Sequence, residues 1–153
     1  MNNSPRVVSL AILYQNQRFL LQLRDDIPTI LYPGHWGLFG GHLEPGETPE
    51  EALKREVIEE IGYTISKPQF FRCYNDSQAS RYIYSAPLTV PIQQLVLGEG
   101  QDLALVSLDD IRQGGCYSPI VASVRPLGSP HQQILLDFQN YLDEQNQRKN
   151  KYI

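Results

Sequence analysis

Cysteine is scarce in this chain of 153 residues: only Cys73 and Cys116 occur. They lie far apart, in no C-x-x-C spacing and beside no histidine cluster, which argues against a zinc site or a redox dithiol; two buried free thiols are the expectation. Long apolar runs are missing as well. The longest near the start, residues 7–14, is far too short to span a bilayer. The first six residues carry one basic side chain, Arg6, and no apolar run followed by a small-residue cleavage site, so no signal peptide is expected and a cytoplasmic location follows by default. Basic charge is not in excess either. A formal net charge of −4 argues against a surface for polymeric nucleic acid, which needs a basic stripe to neutralise phosphates. A small phosphorylated ligand that brings its own metal is compatible with it. Repeats, low-complexity tracts and linkers are absent too, so 1–153 reads as one domain with one active site. The remaining composition, 41% hydrophobic and 20% charged, is that of a globular protein.

What the chain does have is concentrated in residues 41–63, GHLEPGETPEEALKREVIEEIGY. Thr48 is placed to cap a helix with Pro49 at its first position and Glu51 three residues after the cap, and Gly62 is a natural stop. Leu53, Val57 and Ile61 recur every four residues, with Ile58 widening the stripe that should pack into a core. Glu56, Glu59 and Glu60 fall together on another face through i,i+3 and i,i+4 steps. Like charges at that spacing repel by a few tenths of a kcal/mol per pair, and a divalent cation is the simplest group to offset them. Upstream, Gly40, Gly41 and Gly46 allow the backbone to take positive φ and to approach a metal or a phosphate.

The stretch resembles the signature of the Nudix hydrolases, G-x5-E-x7-R-E-U-x-E-E-x-G-U with U bulky and apolar. It reads Gly41, Glu47, Arg55, Glu56, Val57, Glu59, Glu60, Gly62 and, at the last U, Tyr63. Every fixed position matches; Tyr63 stands where an aliphatic residue is more usual. Phe39 stands where proline often precedes the glycine pair, and His42 where lysine is common. The resemblance implies Mg²⁺-dependent hydrolysis, with Mn²⁺ as an alternative, of a nucleoside diphosphate linked to another moiety. Nucleoside triphosphates, oxidised ones included, rank ahead of ADP-ribose and other nucleotide sugars, and a non-catalytic nucleotide-sensing module is the alternative from another class. It implies Glu59 and Glu60 as metal ligands, Glu56 as a ligand or activator of water, the Gly40 carbonyl as a further ligand, and Arg55 with Glu47 as the pair that orients the catalytic carboxylate. Glu99 resembles the glutamate of an E-G-Q segment that adds a metal ligand or general base in some family members. A small nucleotide partner, no membrane partner and room for a homodimer complete what it implies.

For the substrate, Gly41 and Arg24 are candidates for phosphate contacts. Tyr32, Trp36, Tyr74, Tyr82 and Tyr84 are candidates for stacking, although aromatics are more often packing residues. Neither His35 nor His42 is given a catalytic role.

The rest of the chain reads as a hairpin over 7–14 and 18–24, a loop over 25–35, and a strand at 36–39. A bent or edge strand follows within 64–74, then a strand over 81–90, with Tyr82 and Tyr84 on one face and Arg81 and Ile83 on the other. A short strand at 103–106 and a short helix capped by Ser107 precede a loop over 117–130 and a terminal helix from His131 to about Gln147. The fold expected is α/β (α+β), an α/β/α sandwich with a mixed sheet between helices, which the resemblance also implies.

Overall fold

The computed structural model describes residues 6–150. Alternating and β-branched runs at the start form the hairpin β1 (Arg6–Gln15) and β2 (Arg18–Leu23), whose turn places Asn16 and Gln17 at φ 51° and 61°. The expected strand near 36–39 is divided: β3 (Trp36–Gly37) pairs with β2, and β4 (Phe39–His42) pairs with β1. The division falls at Leu38, whose N–H leaves the ladder and donates to His131 Nδ1 at 3.0 Å. Strands β5 (Gln69–Asn75) and β6 (Ala79–Pro87) form the second hairpin, and β6 lies parallel to β1. With β7 (Asp102–Ser107) beside β2, the sheet has seven strands and mixed direction.

Helix α1 (Pro49–Ile61) has the expected ends. Thr48 Oγ1 accepts from the Glu51 N–H at 3.2 Å, and Gly62 closes the helix in the left-handed region at φ 67°. Ala52, Leu53, Val57 and Ile61 are buried against Ala11, Leu13, Leu20 and Phe39 of the sheet. Ile58, expected to widen this stripe, is half exposed; the fifth buried position is Glu60. Tyr63 also faces this core, and its hydroxyl is satisfied by Pro87 O and Thr89 Oγ1 at 3.2 and 3.0 Å, so the larger residue fits here.

The opposite face of the sheet, with Leu10, Ile12, Phe19, Leu21 and Leu23, packs against Ile111 of α2 (Leu108–Gln113) and Ile134, Leu135 and Phe138 of α3 (Ser129–Asn150). Helices therefore cover both faces. The stretch expected as loop over 117–130 instead contains the hairpin β8 (Gly115–Ser118) and β9 (Ser123–Pro126), fastened to β7 by the 2.6 Å bond from Ser118 Oγ to Asp102 Oδ2. The two thiols are not buried as expected, Cys73 being exposed and Cys116 half-buried. Among the described residues no helix is long and apolar enough to cross a membrane.

Candidate active site

A cleft of about 430 Å³ opens between the end of β4, one side of α1, the loop after β2, β6 and the N-terminus of α3. Glu56, Glu59 and Glu60 line it together with Gly40, Gly41, Arg24 and Glu99. The three helix carboxylates differ in depth. Glu59 is exposed, Glu56 is half-buried, and Glu60 is buried beneath the turn, accepting from Gln22 Nε2 at 2.9 Å and from the Gly40 N–H at 3.2 Å. Burial, with the nearby charge of Glu56 second, raises the Glu60 pKa to about 8.

Arg55 accounts for much of the offset that the carboxylate face requires. Its Nε and Nη2 donate to Glu47 at 2.7 and 2.9 Å, Nη1 donates to Glu56 Oε1 at 2.9 Å, and Nη2 reaches the His42 carbonyl at 3.0 Å. Glu59 stands 3.4 Å from Nη1. Glu47, in turn, accepts from the Glu44 N–H at 2.9 Å, which closes the loop on itself. The Arg55 hydrogen bond first, and that backbone donor second, lower the Glu47 pKa to about 2. The guanidinium thus ties loop to helix and fixes the Glu56 carboxylate. His42 enters through its carbonyl, while Phe39 is core, so neither departure from the motif disturbs this web.

Two glycines explain how close the turn comes. Gly40, at φ 143°, has no room for a Cβ, which would overlap the Ser9 carbonyl of β1; a Cβ on Gly41 would sit 2.7 Å from Glu56 Oε1. The 98–101 loop is pinned over the same carboxylates. Gly98 N–H donates to the Glu60 carbonyl at 2.7 Å, Gln101 N–H to Leu23 O at 2.7 Å, and Gln101 Nε2 to Arg24 O at 2.9 Å, which leaves Glu99 exposed at the cleft.

On the other wall, Arg24 Nε donates to Leu31 O at 2.8 Å, so Arg24 both lines the cleft and fixes the loop that roofs it. Burial lowers the pKa of Arg24, opposed by the charges of Glu60, Asp25 and Glu99. Four of the aromatics considered for stacking stand elsewhere. Tyr74 packs against the α3-side core and its hydroxyl donates to Asp137 Oδ2 at 2.8 Å. Trp36 is wholly buried in the α3-side core with its indole N–H on Cys116 O at 3.0 Å. Tyr82 and Tyr84 project from β6 towards the α1 side, where they meet Phe70. The alternation of β6 is as expected, but the cleft takes the other face, with Ala79 and Arg81. The aromatic of this set that does line the cleft is Tyr32, at φ 52°. His131, on α3, was not singled out by the sequence; it is buried at the inner end of the cleft, 93 residues from the Leu38 N–H that fixes it.

Among the described residues no three His, Cys, Asp or Glu side chains converge tightly enough to form a metal cage by themselves. Mg²⁺ does not require one, since it takes one or two carboxylates and completes its shell with water and substrate oxygens. A buried carboxylate under a glycine turn, with two further carboxylates and Glu99 above it, fits such an ion.

A family model described as "NUDIX domain" matches residues 4–120. The chain is 43% identical over 72 residues to "Nucleoside triphosphatase NudI" of Enterobacter sp. (strain 638), which covers 44% of this chain and 50% of that protein. It is 59% identical over 58 residues to the protein of the same name from Escherichia coli O1:K1 / APEC, covering 37% of this chain and 40% of the other. The matched stretches thus span half or less of these relatives' length. Among solved structures, the NUDIX domain of Shewanella oneidensis NrtR complexed with ADP ribose superposes with a TM-score of 0.69 at 20% identity, covering 91% of this chain and 89% of that one, a likeness of fold.

Proposed function

The chain belongs to the Nudix hydrolase family, and from that premise we propose that it is a divalent-metal-dependent hydrolase of nucleoside triphosphates, releasing the nucleoside monophosphate and pyrophosphate. The observation that carries the reading is the graded set of carboxylates on one cleft: Glu60 buried, Glu56 held by Arg55, Glu59 and Glu99 open to solvent. Glu59 and Glu60 are the residues to hold Mg²⁺ or Mn²⁺, with Glu56, Glu99 and the Gly40 carbonyl in reach of the same space. The ion, when bound, neutralises phosphate charge and lowers the pKa of its water. The chain's own part is positional. Arg55 holds Glu56 in one orientation, and the Gly40–Gly41 turn lets phosphate approach the helix, with Arg24 opposite. Support for a triphosphate comes from the relatives named nucleoside triphosphatases over the matched stretch.

A hydrolysis screen with Mg²⁺ over nucleoside triphosphates, ADP-ribose, nucleotide sugars and dinucleoside polyphosphates, read by ³¹P NMR of the products, tests this. Pyrophosphate from triphosphates at the highest kcat/KM is the expected result. Turnover confined to ADP-ribose or nucleotide sugars would reassign the substrate, and no turnover of any member would leave a nucleotide-sensing module.

Glu99 offers a separate check, because it sits on a pinned loop yet packs against no core. Glu99→Gln is expected to lower kcat at least about tenfold, within the range of a lost acid–base group or ligand, while stability stays within about 0.5 kcal/mol, as for other surface changes. Unchanged kcat would make Glu99 an ordinary loop carboxylate.

A further inference from the structure

The proposed hydrolysis of nucleoside triphosphates leaves open which base the cleft accepts. Resting on that reading, we propose that the end of the cleft formed by Arg81, His131 and the 29–32 loop is a nucleobase subsite that selects 6-oxopurines over 6-aminopurines.

Its surfaces suit a flat ring. Val8 and Leu10 of β1 line the floor, Ile30 and Leu31 the roof, and Tyr32 stands edge-on to His131 with centroids 6.4 Å apart. The register of β6 on β1 sets Arg81 directly beside Val8. Arg81 and His131 are 4% and 7% exposed, so both are more than nine-tenths buried, and both reach the cleft.

Both present hydrogen-bond donors there. His131 Nδ1 accepts the Leu38 N–H at 3.0 Å, which puts the ring proton on Nε2 and makes that atom a donor. Burial, followed by the charges of Arg24 and Arg81, lowers the His131 pKa to about 3, so the ring stays neutral and keeps this tautomer. Arg81 Nη1 donates to Asp76 Oδ2 at 2.6 Å. Among the described residues its Nε and Nη2 have no acceptor, nor has His131 Nε2, and both side chains line the cleft. The carboxylate and amide acceptors lie elsewhere, Asp25 at the exposed rim and Gln22 Oε1 beside Gly100 at the carboxylate end, which leaves the hydroxyls of Thr29 and Tyr32 as the side-chain acceptors of the 29–32 loop.

A guanidinium with two free N–H groups pairs with two adjacent acceptors, and the O6/N7 edge of a 6-oxopurine supplies them. A 6-aminopurine replaces O6 with an amino donor, which would face N–H groups in a buried site. Leaving buried donors unpaired is the stronger form of discrimination available to a binding site.

Inosine and adenosine monophosphates differ only in the 6-substituent and the N1 proton that accompanies it, so their affinities in the presence of Mg²⁺, measured by calorimetry, test the proposal without requiring turnover. IMP is expected to bind wild-type protein at least about tenfold tighter than AMP, on the scale of one charged hydrogen bond. Two variants separate the donors from the scaffold. His131→Asn keeps an oxygen near the Nδ1 position for the Leu38 N–H and removes the Nε2 donor; Arg81→Lys keeps the charge for Asp76 and removes the fork. Each should bring the IMP/AMP ratio towards one, chiefly by weakening IMP. Equal binding of IMP and AMP by the wild type, an unaltered ratio in folded variants, or equal weakening of both ligands would overturn the proposal; the wild-type ratio decides alone if a variant fails to fold. Absent triphosphate hydrolysis with the IMP preference intact would overturn the hydrolytic reading and leave this one standing.

Discussion

Replacing Glu60 by glutamine is expected to remove turnover and, in the absence of metal, to make the protein more stable at neutral pH. The two effects have one cause. Glu60 is buried under the glycine turn with two neutral donors as its partners, Gln22 and the Gly40 N–H, and its pKa stands at about 8. Below the unfolded value of about 4.5 the carboxyl is protonated in both states and carries no penalty. Between about 4.5 and 8 the unfolded chain ionises while the folded one stays protonated, so the metal-free fold loses stability as pH rises through that window. The loss is complete above about 8 and is on the order of a few kcal/mol. Glutamine fills the same space, keeps an oxygen for the Gly40 N–H, and has no ionised form to disfavour. Urea melts in chelator from pH 4 to 8 should therefore show equal stability at the acid end and a growing advantage for Glu60→Gln towards pH 8. With Mg²⁺ the same variant should lose roughly 10²-fold or more in kcat, the scale of a removed charge at a metal site. Glu59→Gln is the contrast. Its carboxylate is 55% exposed, so it should lose turnover without the gain in stability. Undiminished turnover in both variants would remove the helix from the site, and parallel pH–stability curves for wild type and Glu60→Gln would show that burial does not hold Glu60 protonated.

The depth of Glu60 could have been read from the chain. Leu53, Val57 and Glu60 step by four and three, the spacing of a buried stripe, and Ile58 stands one position off it. The charge of Glu60 argued for the surface, but in the fold Gln22 and the Gly40 N–H donate to it in the interior. Other features were legible because their causes are local: the cap at Thr48, Pro49 at the first turn, and the left-handed stop at Gly62 all lie within α1 and its flanks. The face of β6 that lines the cleft was not legible. Alternation separates Tyr82 and Tyr84 from Arg81, but only the parallel register of β6 on β1, between segments about 70 residues apart in sequence, decides which set meets the cleft. His131 is a stronger case, since its partner is a backbone N–H freed where β3 and β4 divide. The β8–β9 hairpin escaped because prolines and short strands read as loop, and its Ser118–Asp102 tie is non-local.

Gly40→Ala is expected to cost more stability than any other single-methyl addition to this turn. Gly40 is paired with Leu10 in the centre of the β1–β4 ladder, at φ 143°, a region that residues with a Cβ rarely enter. Its added carbon would overlap the Ser9 carbonyl oxygen and stand 2.9 Å from Leu10 Cα. Both are backbone atoms of the sheet's central strand, so no rotamer change can relieve the overlap. Relief requires β4 to move off β1, which also separates Phe39 from the α1-side core and the Gly40 N–H from Glu60. A loss above about 4 kcal/mol is expected, in the range reserved for backbone clashes and broken cores. Two neighbouring glycines show what each part of that cost is worth. Gly46 has φ 80° but nothing within 4 Å of its added carbon, so Gly46→Ala should cost only the backbone strain, about 1–2 kcal/mol. Gly41→Ala would press on the Glu56 carboxylate, the end of a side chain that can turn away, so its loss should fall on kcat more than on stability. Urea denaturation of the three variants ranks them directly. A Gly40→Ala protein as stable as Gly46→Ala would mean that β4 can shift without loss, and the close approach of turn to helix would then cease to be what fixes the site.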